Sequence, residues 1–385
     1  MQEIPQNPVV AKDTPLFVPV FQRISKSLDF SIPFSDFMDL ALYHDLHGYY
    51  SHPELRRIGR TGDFYTSVSV GDTFGFLLSH AILRSWNERF DKPESFVVVE
   101  QGAHDGQLAR DIVAGLREIT GTIPEWFQYR ILEPRSAVRS ALQDRLKEDD
   151  LDGIVHVVSS FAEAAAPQGI FLCNELLDAF PVQLLAFEEG CWCEKQVSYE
   201  EKSGAFGLVS RPLDPALADF ARSIGDDFPE GYRTEFCPGI EPWITSAATL
   251  FSHGLWWIID YGHDRAAYYH PDRSSGTLRC YHQHHTGEDP FFRPGEQDIT
   301  AHVDFTRLGE LAKKVGLTLD RYRDQHHFLI DSARPWLLSI EGRAPDARLA
   351  KRLRQFQTLT HPAMMGQQFK VLELSGGLGD KRVEP

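Results

Sequence analysis

Apolar and polar positions change period along the chain, and each change predicts an element type. From Ile32 to Phe90 the spacing is mostly helical. Phe37, Leu40, Ala41 and Leu42 predict an amphipathic helix ending at His47-Gly48, and Phe76, Leu77, Ile82, Leu83 and Trp86 predict another over 72–90. Short apolar runs then predict strands at 96–100, 129–133, 154–158, 170–173 and 256–260. Between them, Leu108, Ile112 and Leu116 recur at intervals of four, and Val138, Leu142 and Leu146 do the same. Strands separated by helices of about 10–15 residues predict βαβ units and a parallel sheet. Right-handed crossovers then bring all the strand carboxyl ends to one edge.

Residues 182–250 break this rhythm. Apolar runs at 183–187 and 192–199 flank Glu188-Glu189-Gly190 as in a hairpin, and 205–210 extends it. A Pro/Gly/acidic stretch follows, up to a helix near 243–251. Residues 262–295 read as loop, 304–315 as a helix stopped by Gly316, and 327–330 and 369–374 as closing strands. Residues 1–20 read as a loose arm. The expected organisation is α/β: an N-terminal arm and helical cap (1–90), a sheet domain (91–181 and 252–385), and an α+β insertion (182–251) placed to select a substrate.

Composition narrows the function. At 385 residues there is ample core for one large or two modest domains. A net charge of −16 with no basic block argues against nucleic acid and for cationic partners, such as an Arg- or Lys-bearing protein segment. Cys173, Cys191, Cys193, Cys237 and Cys280 are odd in number and scattered, which favours a reducing compartment. No apolar stretch approaches the ~20 residues of a membrane span. The first 19 residues resemble neither a signal nor a transit peptide, so the expected location is the cytoplasm.

The chemistry gathers at the strand ends. After the first strand come Glu100, Gly102 and Gly106 in Val99-Glu100-Gln101-Gly102-Ala103-His104-Asp105-Gly106-Gln107-Leu108. Glycines there let a ligand approach the backbone, and the following helix N-terminus favours a carboxylate. Glu133 ends the second strand, where an acid accepts both hydroxyls of a ribose. Asn174-Glu175-Leu176-Leu177-Asp178-Ala179-Phe180-Pro181 follows the fourth. The dinucleotide fingerprint fails, because His104 and Gln107 stand where glycines belong, and no phosphate loop with a Gly-Lys-Ser/Thr ending occurs.

Further motifs run in order through the chain: Tyr43-His44-Asp45-Leu46-His47-Gly48-Tyr49-Tyr50, Gly62-Asp63-Phe64-Tyr65-Thr66-Ser67, Ile259-Asp260-Tyr261-Gly262, Gly276-Thr277-Leu278, Gly295-Glu296-Gln297-Asp298-Ile299-Thr300, His302-Val303-Asp304-Phe305 and Met365-Gly366. With the glycine loop and the Asn174 segment, this series resembles the MidA family of S-adenosylmethionine (SAM)-dependent methyltransferases, from about residue 34 to 375. The family includes the mitochondrial complex I assembly methyltransferase, which modifies an arginine of a complex I subunit. The resemblance implies a class I, Rossmann-like, mostly parallel sheet with SAM as cofactor and an arginine side chain of a protein as methyl acceptor.

It also implies roles. Gly102 and Gly106 would line the methionine part of SAM and Glu133 would bind its ribose. Thr66 and Ser67 match the family's Thr-Ser-Pro segment over the cofactor, with Val68 in place of the proline. Glu100, His104, Leu108 and Phe161 complete the implied cofactor set, and Asn174 belongs to it and to the catalytic set. Glu175 and Asp178 are implied beside the methyl group, Glu175 as the principal guanidinium ligand. Carboxylates suit that role, because they grip a guanidinium in a bidentate way, localise its charge and accept the departing proton. Spaced three apart, Glu175 and Asp178 would share a pocket from one helical turn.

His104 departs from the family pattern, which has glycine there. Histidine tolerates left-handed backbone angles better than most residues. Its imidazole is then expected to point away from the methionine end or to contact its carboxylate. Two other readings stay open: a non-catalytic assembly or binding factor with a degenerate SAM site, and a small-molecule methyltransferase. Cys191-Trp192-Cys193 and His282, His284 and His285 lack the spacing of a zinc site, so no metal is expected. A homodimer is possible on this reading.

Overall fold

The computed structural model describes residues 11–51, 66–282 and 285–377. It divides into two compact units, one of Met1–Tyr65, Leu177–Ile240 and His263–Asp304, the other of Thr66–Leu176, Glu241–Gly262 and Phe305–Pro385.

The second of these units holds the main sheet. Its strands are β1 (Phe96–Gln101), β2 (Phe127–Leu132), β3 (Val155–Val158), β4 (Ala166–Asn174), β5 (Phe251–His263), β6 (Thr318–Asp324) and β7 (Phe369–Gly376). Their order is β6-β7-β5-β4-β1-β2-β3. The pairs β5–β4, β4–β1, β1–β2 and β2–β3 are parallel, whereas β7 runs antiparallel to β5 and β6. Every residue of β1 except Gln101 is buried, as expected of a central strand covered on both faces. Val98, Tyr129, Ile131, Ile170, Leu172 and Trp257 pack in one core with Leu77 and Ile82 of the helix Thr73–Glu88 and with Ile112 and Leu116 of Gln107–Thr120. Thr73–Glu88, read from the sequence with the N-terminal cap, thus packs in the sheet-bearing unit.

The other unit is built on an antiparallel sheet in the order Ser31–Pro33, Cys191–Glu200, Gln183–Glu188, Arg233–Phe236, with Ala205–Arg211 also pairing Cys191–Glu200. The hairpin turn has positive φ at both Glu189 and Gly190, the geometry that matches strand twist in a two-residue connection. Buried Glu235 fastens the Gly276-Thr277-Leu278 segment. It accepts from Thr277 N–H (2.8 Å), Thr277 Oγ1 (2.9 Å), Leu278 N–H (3.1 Å) and the Tyr268 hydroxyl (3.2 Å).

Four expectations need correction. Residues 17–26 are helical (Phe17–Lys26) rather than a loose arm. Leu16, Val20 and Ile24, four apart, are buried, and Pro19 sits in the first turn, where a missing N–H costs no helical bond. Residues 327–330 are not a strand but part of the helix Gln325–Ser339, whose buried Phe328, Leu329, Ser332, Ala333 and Trp336 follow helical spacing. A four-residue apolar run does not distinguish the two. Residues 262–295 contain the strands Arg279–His282 and His285–Gly287. Phe251 opens β5 instead of ending a helix, which spans Ile240–Ala247. The Gly62-Asp63-Phe64-Tyr65 motif and His284 lie outside the described residues.

Candidate functional site

Strand register sets the site. Val158, Leu132, Gln101 and Cys173 pair across β3, β2, β1 and β4 in one row, and Asn174 pairs with Ile259 of β5. The residues after this row are therefore Phe161, Glu133, the Gly102–Gly106 turn, Asn174-Glu175 and Asp260, all at one sheet edge. The chain reverses its direction of strand addition between β1 and β4. Such a switch point opens a crevice at the carboxyl ends of the strands.

The turn after β1 is left-handed at three positions: Gly102 (φ 85°), His104 (φ 50°) and Gly106 (φ 79°). Gly106 is the N-cap of the helix Gln107–Thr120. The first intrahelical bond runs from Arg110 N–H to the Gly106 carbonyl, and Asp105 Oδ1 caps Gln107 N–H at 3.1 Å. The amides of Leu108 and Ala109 precede that first bond, so any role of Leu108 toward a ligand runs through its N–H. Its side chain is buried in the core.

A Cβ at Gly102 would lie 3.2 Å from Leu176 Cδ1, so the turn packs closely on the loop after β4. Gly102→Ala is accordingly expected to cost about 1–2 kcal/mol in a denaturant titration, from left-handed strain plus this contact. Displacement of the Leu176 loop should weaken cofactor affinity about 10-fold in calorimetry. Unchanged affinity would show that the two loops are not coupled.

Glu100 and Glu133 differ in surroundings. Burial raises the Glu100 carboxyl to about 7, although the Tyr129 hydroxyl donates to its Oε2 at 2.7 Å. Glu133 instead receives Arg135: the backbone N–H (2.9 Å) and Nε (3.0 Å) bond to Oε1, and Nη2 (3.1 Å) to Oε2. Phe161 begins a short helix after β3, capped by Ser160, with its ring centroid 6.4 Å from that of Phe171.

The loop after β4 is strained and clamped. Glu175 adopts φ 52°, held by its N–H on the Ile259 carbonyl (2.9 Å), while Leu176 N–H donates to Asp260 Oδ2 at 3.1 Å. Glu175 Oε1 accepts from Asn174 Nδ2 (2.9 Å) and from Ser67 N–H (3.2 Å). Ser67 is fully buried, and its hydroxyl donates to Gln325 Oε1 at 3.1 Å. Thr66 and Ser69 exchange hydrogen bonds within the same turn. Ser67, Asn174 and Glu175 are thus brought together.

Asp178 is a different case. Residues 175–181 form turns, not a helix, so no helical turn aligns Asp178 with Glu175. Asp178 belongs to the other unit, where its carbonyl accepts from Ala301 N–H (2.9 Å) and burial pushes its carboxyl up. Asp260 and Gln325 are residues the sequence reading missed as contributors to the site. Asp260 stands in a quoted motif, and Gln325 adjoins the run misread as a strand.

The buried polar atoms at this edge without a hydrogen-bond partner among the described residues include His104 Nε2 and Asn174 Oδ1. With the Glu133 carboxylate, the helix N-terminus and the side-chain-free Gly102, they form a donor and acceptor set suited to an amino-acid-bearing nucleoside. SAM fits this set. The other candidates have ordinary partners: Cys193 Sγ donates to Glu188 Oε2 at 3.3 Å, and His282 Nδ1 lies 2.8 Å from the Glu296 carbonyl. No helix among the described residues is long and apolar enough to cross a membrane.

Comparisons with known proteins identify the family. A family of S-adenosyl-L-methionine-dependent methyltransferases matches residues 77–323. The mitochondrial protein arginine methyltransferase NDUFAF7 homolog of Drosophila melanogaster is 26% identical over 384 residues, covering 90% of this chain and 82% of its own. The mitochondrial protein arginine methyltransferase NDUFAF7 of Mus musculus is 27% identical over 371 residues, covering 89% and 80%. A Burkholderia thailandensis protein solved bound to S-adenosyl-homocysteine superposes with a TM-score of 0.84 at 29% identity, covering 98% of this chain and 96% of that one. Both curated relatives are named mitochondrial, which lends the cytoplasmic expectation no support.

Proposed function

The chain belongs to the S-adenosyl-L-methionine-dependent methyltransferases, and from that premise we propose that its acceptor is an arginine side chain of a protein. The observation that carries the proposal is the clamped, left-handed Glu175 at the carboxyl end of β4, oriented by Asn174 and Ser67. Strain of this kind persists where surrounding structure over-determines it, and it concentrates at functional sites. The curated relatives carry the name arginine methyltransferase, and the acidic chain favours a cationic segment.

On this reading the strand order is that of a class I, Rossmann-like methyltransferase. Glu133 receives the ribose, Phe161 borders the base, and Asn174 Oδ1 accepts from the methionine ammonium. Thr66 and Ser67 line the cofactor from their own turn. Bound SAM supplies an electrophilic methyl group, and the residues align the acceptor with it. Glu175 would orient the guanidinium, concentrate its charge on one nitrogen and take the proton released as the N–CH3 bond forms and the sulfonium's S–CH3 bond breaks, the thioether being the leaving group. A guanidinium with a pKa above ~12 is otherwise a poor nucleophile. Asp178 keeps its proposed supporting role, and residues 182–251 that of selecting the acceptor. The family resemblance extends the proposal to a respiratory-complex subunit as acceptor, and to a homodimer as the assembly.

The test is transfer of radiolabelled methyl from SAM into fractionated lysate. Label in protein, recovered as methylarginine after hydrolysis, is the expected result. Label confined to small molecules would overturn the acceptor assignment.

A further inference from the structure

We propose that Gln325 is a positioning residue for methyl transfer: acting through Ser67, it sets where the Glu175 carboxylate stands. This rests on the reading of Glu175 above as the group that orients the acceptor and takes its proton.

The hydrogen-bond chain runs through buried groups of one unit. Gln325 is fully buried at the start of the helix Gln325–Ser339. Its Nε2 donates to the Leu359 carbonyl at 3.2 Å. Leu359 lies in the last turn of the helix Ala347–Thr360, where carbonyls lack amide partners within the helix. A carbonyl only accepts, so the Gln325 amide must turn its nitrogen there and its oxygen to Ser67. The Ser67 hydroxyl is thereby fixed as the donor, at 3.1 Å from Gln325 Oε1. With that side chain anchored, the Ser67 backbone N–H meets Glu175 Oε1 at 3.2 Å.

The turn that carries Ser67 is closed on itself. Thr66 N–H donates to Ser69 Oγ at 2.9 Å, and Ser69 Oγ donates to the Thr66 carbonyl at 2.8 Å. A displacement of the Ser67 hydroxyl is therefore passed to its amide. Beside Gln325, His326 Nδ1 donates to the Thr360 carbonyl at 2.6 Å, which ties the start of one helix to the end of the other. Asn174 Nδ2 also donates to Glu175 Oε1, at 2.9 Å, but Asn174 adjoins Glu175 and moves with it. Ser67 N–H instead ties the carboxylate to a separate part of the chain, and Gln325 holds that part still. Methyl transfer is an in-line displacement, in which a misplacement of about 1 Å costs about 10²-fold in rate.

Gln355 supplies the contrast. From the second helix it donates to the Val70 carbonyl at 3.1 Å and accepts from the Thr73 hydroxyl. It grips the same segment beyond Ser67, with no bond to Ser67 itself.

The test compares Gln325→Met, Gln355→Met, Glu175→Gln and the double variant of Gln325→Met with Glu175→Gln, each in the full chain. Methionine matches glutamine in length and carries no amide. The readouts are transfer of radiolabelled methyl from saturating SAM into fractionated lysate protein, S-adenosylhomocysteine affinity by calorimetry, and Tm. Gln325→Met is expected to slow transfer about 10²-fold and to leave that affinity within about 3-fold of wild type. Gln355→Met is expected to lower Tm to a similar extent, with transfer within about 3-fold of wild type. On the Glu175→Gln background, Gln325→Met should cost no more than about 3-fold further, because the group it positions is already lost.

Equal rate losses in the two methionine variants, or full additivity with Glu175→Gln, would make Gln325 a structural residue and overturn the proposal. So would a wild-type rate in Gln325→Met. If Gln325→Met does not fold, Ser67→Ala removes the same hydrogen bond from its other end and is read by the same additivity criterion. A wild-type rate in Glu175→Gln would overturn the Glu175 reading and this proposal with it, and so is distinguishable from failure of Gln325 alone.

Discussion

Glu175→Gln is expected to lower kcat about 10²–10⁴-fold at saturating SAM, the usual worth of a positioned general base. Affinity for S-adenosylhomocysteine should stay within a few-fold of wild type. The reason for the split is geometric. Glutamine keeps an oxygen able to accept from Ser67 N–H and Asn174 Nδ2, so the clamped loop is preserved. What it lacks is negative charge for the guanidinium and a site for the departing proton. Single-turnover methyl transfer beside cofactor calorimetry separates the two effects. Near wild-type rates would remove Glu175 from the mechanism. Equal losses in affinity and rate would make it a structural residue of the loop.

Glu133→Ala is expected to have its effect on the opposite parameter. Two ribose hydroxyls on one carboxylate are charge-assisted hydrogen bonds worth about 1.5–3 kcal/mol each. The gain is reduced because Arg135 already occupies the carboxylate, through Nε at 3.0 Å and Nη2 at 3.1 Å. Arg135 is one-third exposed, so that pair is worth only about 0–1 kcal/mol once solvent screening is counted. The net expectation is a loss of about 100-fold in affinity for S-adenosylhomocysteine. The rate at saturating SAM should change little. A change below about 3-fold would mean that Glu133 serves Arg135 and the chain reversal rather than the cofactor.

Much of the backbone at the candidate site was legible because it is local. A strand that ends in Glu100-Gln101-Gly102, and a helix that begins after Gly106, are dictated by apolar runs and glycine positions within a dozen residues. The left-handed angle at His104 was legible for the same reason, since the turn's backbone path is set by its glycine neighbours. The helix Gln325–Ser339 was not legible from 327–330, because four apolar residues satisfy either period. Missing it hid Gln325, the anchor of Ser67 across 258 positions of chain.

The sequence by itself determined the alternation of strands and helices, the acids and glycines at the strand ends, and through the ordered motifs the family. These follow from short-range periodicity and residue type. Tertiary structure alone decided how the edge is used. Sheet register, which no local pattern specifies, placed the ends of β3, β2, β1 and β4 in one row. Long-range hydrogen bonds from the Glu175 and Leu176 amides to Ile259 and Asp260 hold Glu175 at a positive φ that its residue type would not choose. The same folding assigned Glu175 and Asp178 to different units, although three-residue spacing had put them on one helical face. Spacing predicts a shared face only where the backbone is helical, and the turn at 175–181 is not.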